Sequence, residues 1–143
     1  MDNCAFNRPF DDQSQLRVRL ETEAKLGIQK GIEDGHYELA WSYILDFENE
    51  ANPFEERRAA VGQWRPRAVR DAEESRQVLN TAKELAKLGL RSKDALHVAC
   101  AVATECDYFI STDDGILTRL RGFPKVTAMS PTEFVGKVER RED

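Results

Sequence analysis

"KDALHVACAVATECDYFISTDDGIL", residues 93–117, contains a change of hydrophobic period on which the reading of the whole chain turns. In its first half Leu96, Ala99, Cys100 and Ala103 recur at helical spacing, which predicts a helix over 93–105 with Ser92 as its cap. "DYFIS", 107–111, is instead a short apolar run of the kind a parallel sheet buries on both faces. Two adjacent carboxylates follow, Asp113 and Asp114, and then a short helix over "GILTRL". Neighbouring acids at the end of a buried strand repel each other. Water, a helix N-terminus or a cation has to offset their charge.

The flanking sequence repeats the alternation. Leu16, Val18, Leu20, Ala24, Ile28 and Ile32 form an imperfect apolar stripe over a long helix, 14–34, that stops near Gly35. "YELAWS", 37–42, reads as a strand, Ser42 as the cap of a short helix over 43–51, and Pro53 as the first turn of another that runs to about Trp64. Residues 65–72 fit neither period. A strongly amphipathic helix over 73–88 ends at Gly89, and after "GILTRL" a strand "KVTAM" leads into a capped terminal helix "SPTEFVGKVE". Strands alternating with helices predict an α/β fold with a parallel sheet, and such sheets bind ligands off the carboxyl ends of their strands.

Composition limits the possibilities further. With 143 residues, 41% of them hydrophobic, the chain suits one domain over 1–143 with one core. No stretch nears the roughly 20 apolar residues that span a bilayer, and "MDNCAFNRPF" lacks a signal-peptide layout, so a cytoplasmic protein with no membrane partner is expected. Cys4, Cys100 and Cys106 form no CxxC pair, which fits a reducing compartment. A net charge of −5 gives no global positive field for nucleic acid. It weighs less against a nuclease whose acids are masked by divalent cations.

The predicted layout sends several acids to one edge. Asp113 and Asp114 follow the strand at 107–111, Asp94 lies in the first turn of the preceding helix, and Glu48 lies one turn into the helix after "YELAWS". Asp2 would have to come from the end of another strand. Each has an ordinary explanation alone: Asp94 complements a helix dipole, Glu48 is a solvated helix acid, and Asp113 with Asp114 forms a turn or an N-cap. Periodicity does not separate Glu48 from Asp46 or Glu50. Asp94 and His97 at i, i+3 do not make a zinc site, so His97 reads as a packing residue beside the acids and His36 as a turn residue.

Taken together, 93–117 resembles the C-terminal half of the PIN domain family, in which an Asp before an Ala-Leu-His-hydrophobic-Ala helix is followed by a strand and a Thr-Asp pair. "DNCAFNRPFDDQ" is similar to that family's opening Asp-Asn segment and "ILDFENEANPF" to its second acidic segment. The resemblance implies a three-layer α/β/α fold with a central parallel sheet, and a metal-dependent ribonuclease that hydrolyses RNA phosphodiester bonds. It carries the family's four-carboxylate site onto Asp2, Glu48, Asp94 and Asp113, with Asp114 as an additional ligand or metal-bound water contact and Thr112 or Asn3 as polar support. Mg²⁺ or Mn²⁺ suits such a site, because hard cations prefer carboxylate oxygens and keep water. Such ions activate a bound water and stabilise the leaving oxygen. Many members of the family are toxins of toxin-antitoxin pairs, which adds an antitoxin protein and a homodimer to the expected partners.

Only Met1 precedes Asp2, whereas the family's first acid ends an apolar central strand, so that strand is expected to be missing or incomplete. An upstream start, a partner's strand or an altered sheet would each account for it. The competing reading is a non-catalytic PIN-fold module that binds a partner and is inactive because of the truncation. A phosphate-transfer fold of the receiver or haloacid-dehalogenase type ranks low, since "MDNCAF" has no second acid two residues on. For an RNA backbone, Arg8 is the first candidate, with "RPRAVR" and Trp64 as a further surface.

Overall fold

The computed structural model describes residue 1 and residues 3–142, without the side chains of 3, 4 and 139–142. Among them the helices are α1 (Asn3–Asn7), α2 (Leu16–Glu33), α3 (Tyr43–Glu50), α4 (Glu55–Gly62), α5 (Arg76–Ala86), α6 (Ser92–Ala103), α7 (Asp114–Arg119) and α8 (Pro131–Glu142). The strands are β1 (Ala40–Ser42), β2 (Arg70–Ala72), β3 (Tyr108–Ile110) and β4 (Thr127–Met129). The fold is mixed α/β. β1 runs parallel to β2 with Trp41 opposite Asp71, and β3 runs parallel to β4 with Phe109 opposite Ala128. These are two separate two-stranded sheets: neither β1 nor β3 has a second strand partner among the described residues. No described helix is long and apolar enough to cross a membrane.

Local chemistry sets most of the boundaries. The Ser42 hydroxyl accepts from the Leu45 amide at 3.2 Å, so α3 begins as soon as β1 ends. Ser75 caps α5 in the same way, through the Val78 amide at 3.1 Å. Ser92 lies inside the first turn of α6 and Arg91 is the residue before it, contrary to the cap expected from sequence. The strand expected over 37–42 is confined to its last half, and the Tyr37 ring ahead of it packs edge-on against Phe134, 5.2 Å between centroids.

Helix α2 departs from its expected stripe. Leu16, Leu20 and Leu26 are exposed, whereas Glu21, Lys25 and Gln29, at i, i+4 and i+8, are buried with Val18 and Ile28. A buried carboxylate needs charged partners, and Glu21 has two. Arg8 donates to its Oε1 at 2.8 Å and Arg17 Nε lies 3.3 Å from the same oxygen.

The main core lies between α5, α6, β3 and α7, with Val78, Leu85, Val98, Ala99, Phe109 and Ile116 at its centre. Helix α6 also fixes strand directions. Arg70, at the start of β2, donates to the Thr104 carbonyl just past the end of α6 at 2.9 Å, whereas Glu48, beyond the carboxyl end of β1, meets His97 in the first half of α6. Thus α6 runs opposite to β1 and β2. A tight turn, in which Glu105 adopts a left-handed φ of 59°, returns the chain into β3 in the same direction as β1. Between β1 and β3 lies a cavity of about 860 Å³, walled by residues 37–42 and 106–110, where one water molecule would need roughly 30 Å³.

Candidate active site

Three of the sequence-predicted acids follow strand ends or open a helix, and among their elements α3 packs on α6. Helix α3 starts at the end of β1 and carries Glu48, the first turn of α6 carries Asp94, and the loop out of β3 carries Asp113. Asp2 lies outside the described residues, and Asn3 opens α1.

Glu48 is the carboxylate of α3 that faces α6. Its Oε1 lies 2.9 Å from His97 Nε2, with the two side chains 18% and 5% exposed. An ionised carboxylate only accepts, so in this pair the Nε2–H donates a hydrogen bond to Glu48 Oε1. The neighbouring Asp46 serves the scaffold instead. It accepts from the Trp41 indole at 2.8 Å and from Arg65 at 3.1 Å, tying β1 to the 65–67 turn. Glu50 is exposed. Asp94 is half-buried one helical turn before His97, and residues at i, i+3 are neighbours on a helix surface, so α6 presents Asp94 and the His97–Glu48 pair along one face.

Asp113 is the N-cap of α7. Its Oδ1 accepts from the Gly115 amide at 2.8 Å and the Ile116 amide at 3.3 Å, while its own amide donates to the Ser111 hydroxyl at 3.0 Å. A cation at this residue would be met through Oδ2. Asp114 points the other way, and Arg17 grips both of its oxygens, each at 2.7 Å. The Arg17 hydrogen bonds hold the Asp114 carboxyl below its usual range and raise the Arg17 guanidinium. An ion at Asp114 would share its oxygens with that guanidinium. The adjacent acids are therefore already offset within the chain, Asp113 by the α7 amides and Asp114 by Arg17. Arg17 also donates to the Thr112 carbonyl at 3.3 Å, and Thr112 is buried.

The candidate RNA-binding bases are engaged with acids. Arg8 joins Glu21 and Asp11, Arg65 joins Asp46 and Asp71, and Arg67 joins Glu33 while lying 4.8 Å over the Trp64 ring. The Cys100 thiol is pushed up to about 12 by burial, which leaves it an inert core residue.

Among the described residues, no three His, Cys, Asp or Glu side chains converge closely enough to hold a metal ion. The donor type suits Mg²⁺ or Mn²⁺, since Glu48, Asp94 and Asp113 offer hard oxygens. Sequence reasoning could not find Arg17, because its partner is 97 positions away. The His97 contact was missed because a helix-packing role and an acid-positioning role give the same period. Compared with known proteins, the chain matches no protein-family model and no curated protein.

Proposed function

We propose that the chain is a metal-dependent ribonuclease with a PIN-like three-layer α/β/α fold, hydrolysing RNA phosphodiester bonds at the carboxyl edge of its parallel strands. The observation that carries this reading is the pairing of Glu48 with His97 one turn from Asp94. Asp2, Glu48, Asp94 and Asp113 are the proposed ligands of Mg²⁺ or Mn²⁺. Asp114, held by Arg17, fixes the turn that presents Asp113. When bound, the ion supplies charge neutralisation and an acidified water at the phosphate.

The chain's own residues do the positioning. His97 donates to one Glu48 oxygen and so aims the other, as a metal-bound carboxylate is commonly oriented by an outer hydrogen bond. The α7 cap fixes Asp113 on one oxygen only. The reading includes an RNA substrate, a cytoplasmic location, and a role as the toxin of a toxin-antitoxin pair with an antitoxin protein and a homodimer as partners. The test is cleavage of a labelled RNA with Mg²⁺ or Mn²⁺, in which Asp94→Asn and Glu48→Gln are expected to lower the rate by about 100-fold or more. Parent-like rates in both variants would refute it.

One observation favours a second reading, a non-catalytic module of the same fold that binds a partner. Asp113 and Asp114 already have their charges offset within the chain, by the α7 amides and by Arg17. In that case neither ion would change the melting temperature.

A further inference from the structure

We propose that Phe47, with the Lys93 ammonium over its ring, is a stacking platform for one unpaired base of a single-stranded RNA, set beside the candidate acids. The inference rests on the ribonuclease reading for its partner and adds the place where the strand is gripped.

The platform and the acids belong to successive contacts of the same two helices. Phe47 precedes Glu48 in α3, and Lys93 precedes Asp94 in α6. One helical turn separates Lys93 from His97, so α6 meets α3 twice on one side. His97 Nε2 lies 2.9 Å from Glu48 Oε1, and Lys93 Nζ lies 5.6 Å from the centre of the Phe47 ring. The first contact is largely buried. The second is at the surface, with Phe47 58% exposed and Lys93 exposed as well. Helix α3 does have an inward position for an apolar side chain, since Ile44, one turn earlier, is buried in the main core. Phe47 lies outside that core.

An exposed ring is ordinary by itself, and its surroundings decide what it fits. Phe54 is also exposed, but Arg57 lies 4.3 Å over its ring and donates to the Phe10 carbonyl at 3.3 Å, which ties that ring to the scaffold. The cations near Phe47 are not tied in this way. Arg8, Arg17, Arg65 and Arg67 are each joined to an acid, whereas no ion pair among the described residues takes up Lys93 or the exposed Arg91 two residues before it. The chain carries a net charge of −5 and its site acids repel phosphate, so a strand that reaches them needs cations close by. Arg91 and Lys93 flank Asp94 and supply them. A flat apolar ring beside uncommitted cations matches a nucleotide, with the base on Phe47 and the phosphate on Lys93. Every base has a π face, so the platform grips without reading sequence. Bases in a duplex are already stacked on each other, which limits it to unpaired ones.

The test is fluorescence anisotropy of a labelled single-stranded RNA of about ten nucleotides in Ca²⁺ buffer, titrated with the parent and with Phe47→Ala, Phe47→Leu, Phe47→Trp and Lys93→Gln, each with a parent-like melting temperature. Phe47→Ala and Phe47→Leu are expected to weaken binding about tenfold or more, and Phe47→Trp to bind like the parent. Lys93→Gln should flatten the log–log dependence of affinity on salt by about 0.7, a slope that Phe47→Leu leaves unchanged. A duplex of the same RNA should show no dependence on Phe47. Parent-like affinity in Phe47→Ala overturns the proposal, as does the absence of RNA binding by the parent. Parent-like affinity in Phe47→Leu alone also overturns it, and marks an apolar surface of the kind a protein partner covers. Cleavage is read separately with Mg²⁺ or Mn²⁺. A parent that binds through Phe47 and does not cleave refutes the ribonuclease reading and supports the platform. Cleavage that depends on Asp94, with neither binding nor KM changed by Phe47→Ala, refutes the platform alone.

Discussion

Lys25 lies in the middle of α2, only 6% exposed, with its Nζ 5.8 Å from the centre of the Phe6 ring. Burial brings its pKa down from 10.5 to about 8. At about 1.36 kcal/mol per pH unit, holding the ammonium in that environment costs about 3 kcal/mol at neutral pH. Because the folded pKa of this base is the lower one, the full cost is present below it. Between about 8 and 10.5 the unfolded chain binds more protons, so stability rises with pH and the cost is removed.

Lys25→Met keeps the length and the apolar stem but removes the charge, giving up a cation–π contact of about 1 kcal/mol. It is therefore expected to stabilise the protein by about 2 kcal/mol at neutral pH, or roughly 5–10 °C in melting temperature. The gain should fall below about 1 kcal/mol by about pH 10. Urea unfolding of parent and variant from neutral to alkaline pH checks this, since cysteines and tyrosines common to both cancel in the difference. A gain that does not change with pH, or a loss, would refute the reasoning.

Other expectations follow from single contacts. Glu48→Leu leaves His97 Nε2 buried without an acceptor and should cost about 1–3 kcal/mol in urea unfolding, whereas Glu48→Gln, whose amide oxygen still accepts, should cost about 1 kcal/mol or less. Asp113→Ala removes the α7 cap and should cost about 1 kcal/mol in the same assay, while Asp113→Asn keeps most of it. Gly31→Ala would drive a methyl into the Tyr37 ring, so despite better helix propensity it should destabilise by about 1–3 kcal/mol in thermal unfolding. Because Arg17 lowers the Asp114 pKa, the stability this pair adds is present above the usual carboxylate range and is lost as pH falls through the lowered value. Arg17→Met should remove that acid-side dependence in urea titrations at low pH.

Helices with one dominant apolar face were legible to within a few residues, as α5 and α6 show. The strands were harder because they are only three residues long. β2 was hidden in the ambiguous stretch 65–72, where Arg70 and Asp71 are exposed and only Ala72 is buried, a pattern with no alternation to read. The α2 stripe misled, because an Arg8–Glu21–Arg17 network lets a helix bury charge and expose leucine. At the candidate site, the choice of Glu48 over Asp46 and Glu50 required the position of His97, 49 residues on. The adjacent Asp113 and Asp114 were legible as a problem in electrostatics. Their internal offsets were not, since one is a cap geometry and the other a contact across most of the chain.

The central claim is that Glu48, Asp94 and Asp113, with Asp2, hold a divalent cation. Its most direct test is calorimetric titration of Mn²⁺ into the chain and into its Asp94→Asn variant. The account predicts saturable binding in the first and binding at least about tenfold weaker in the second. No binding to either protein, or equal binding to both, would contradict it.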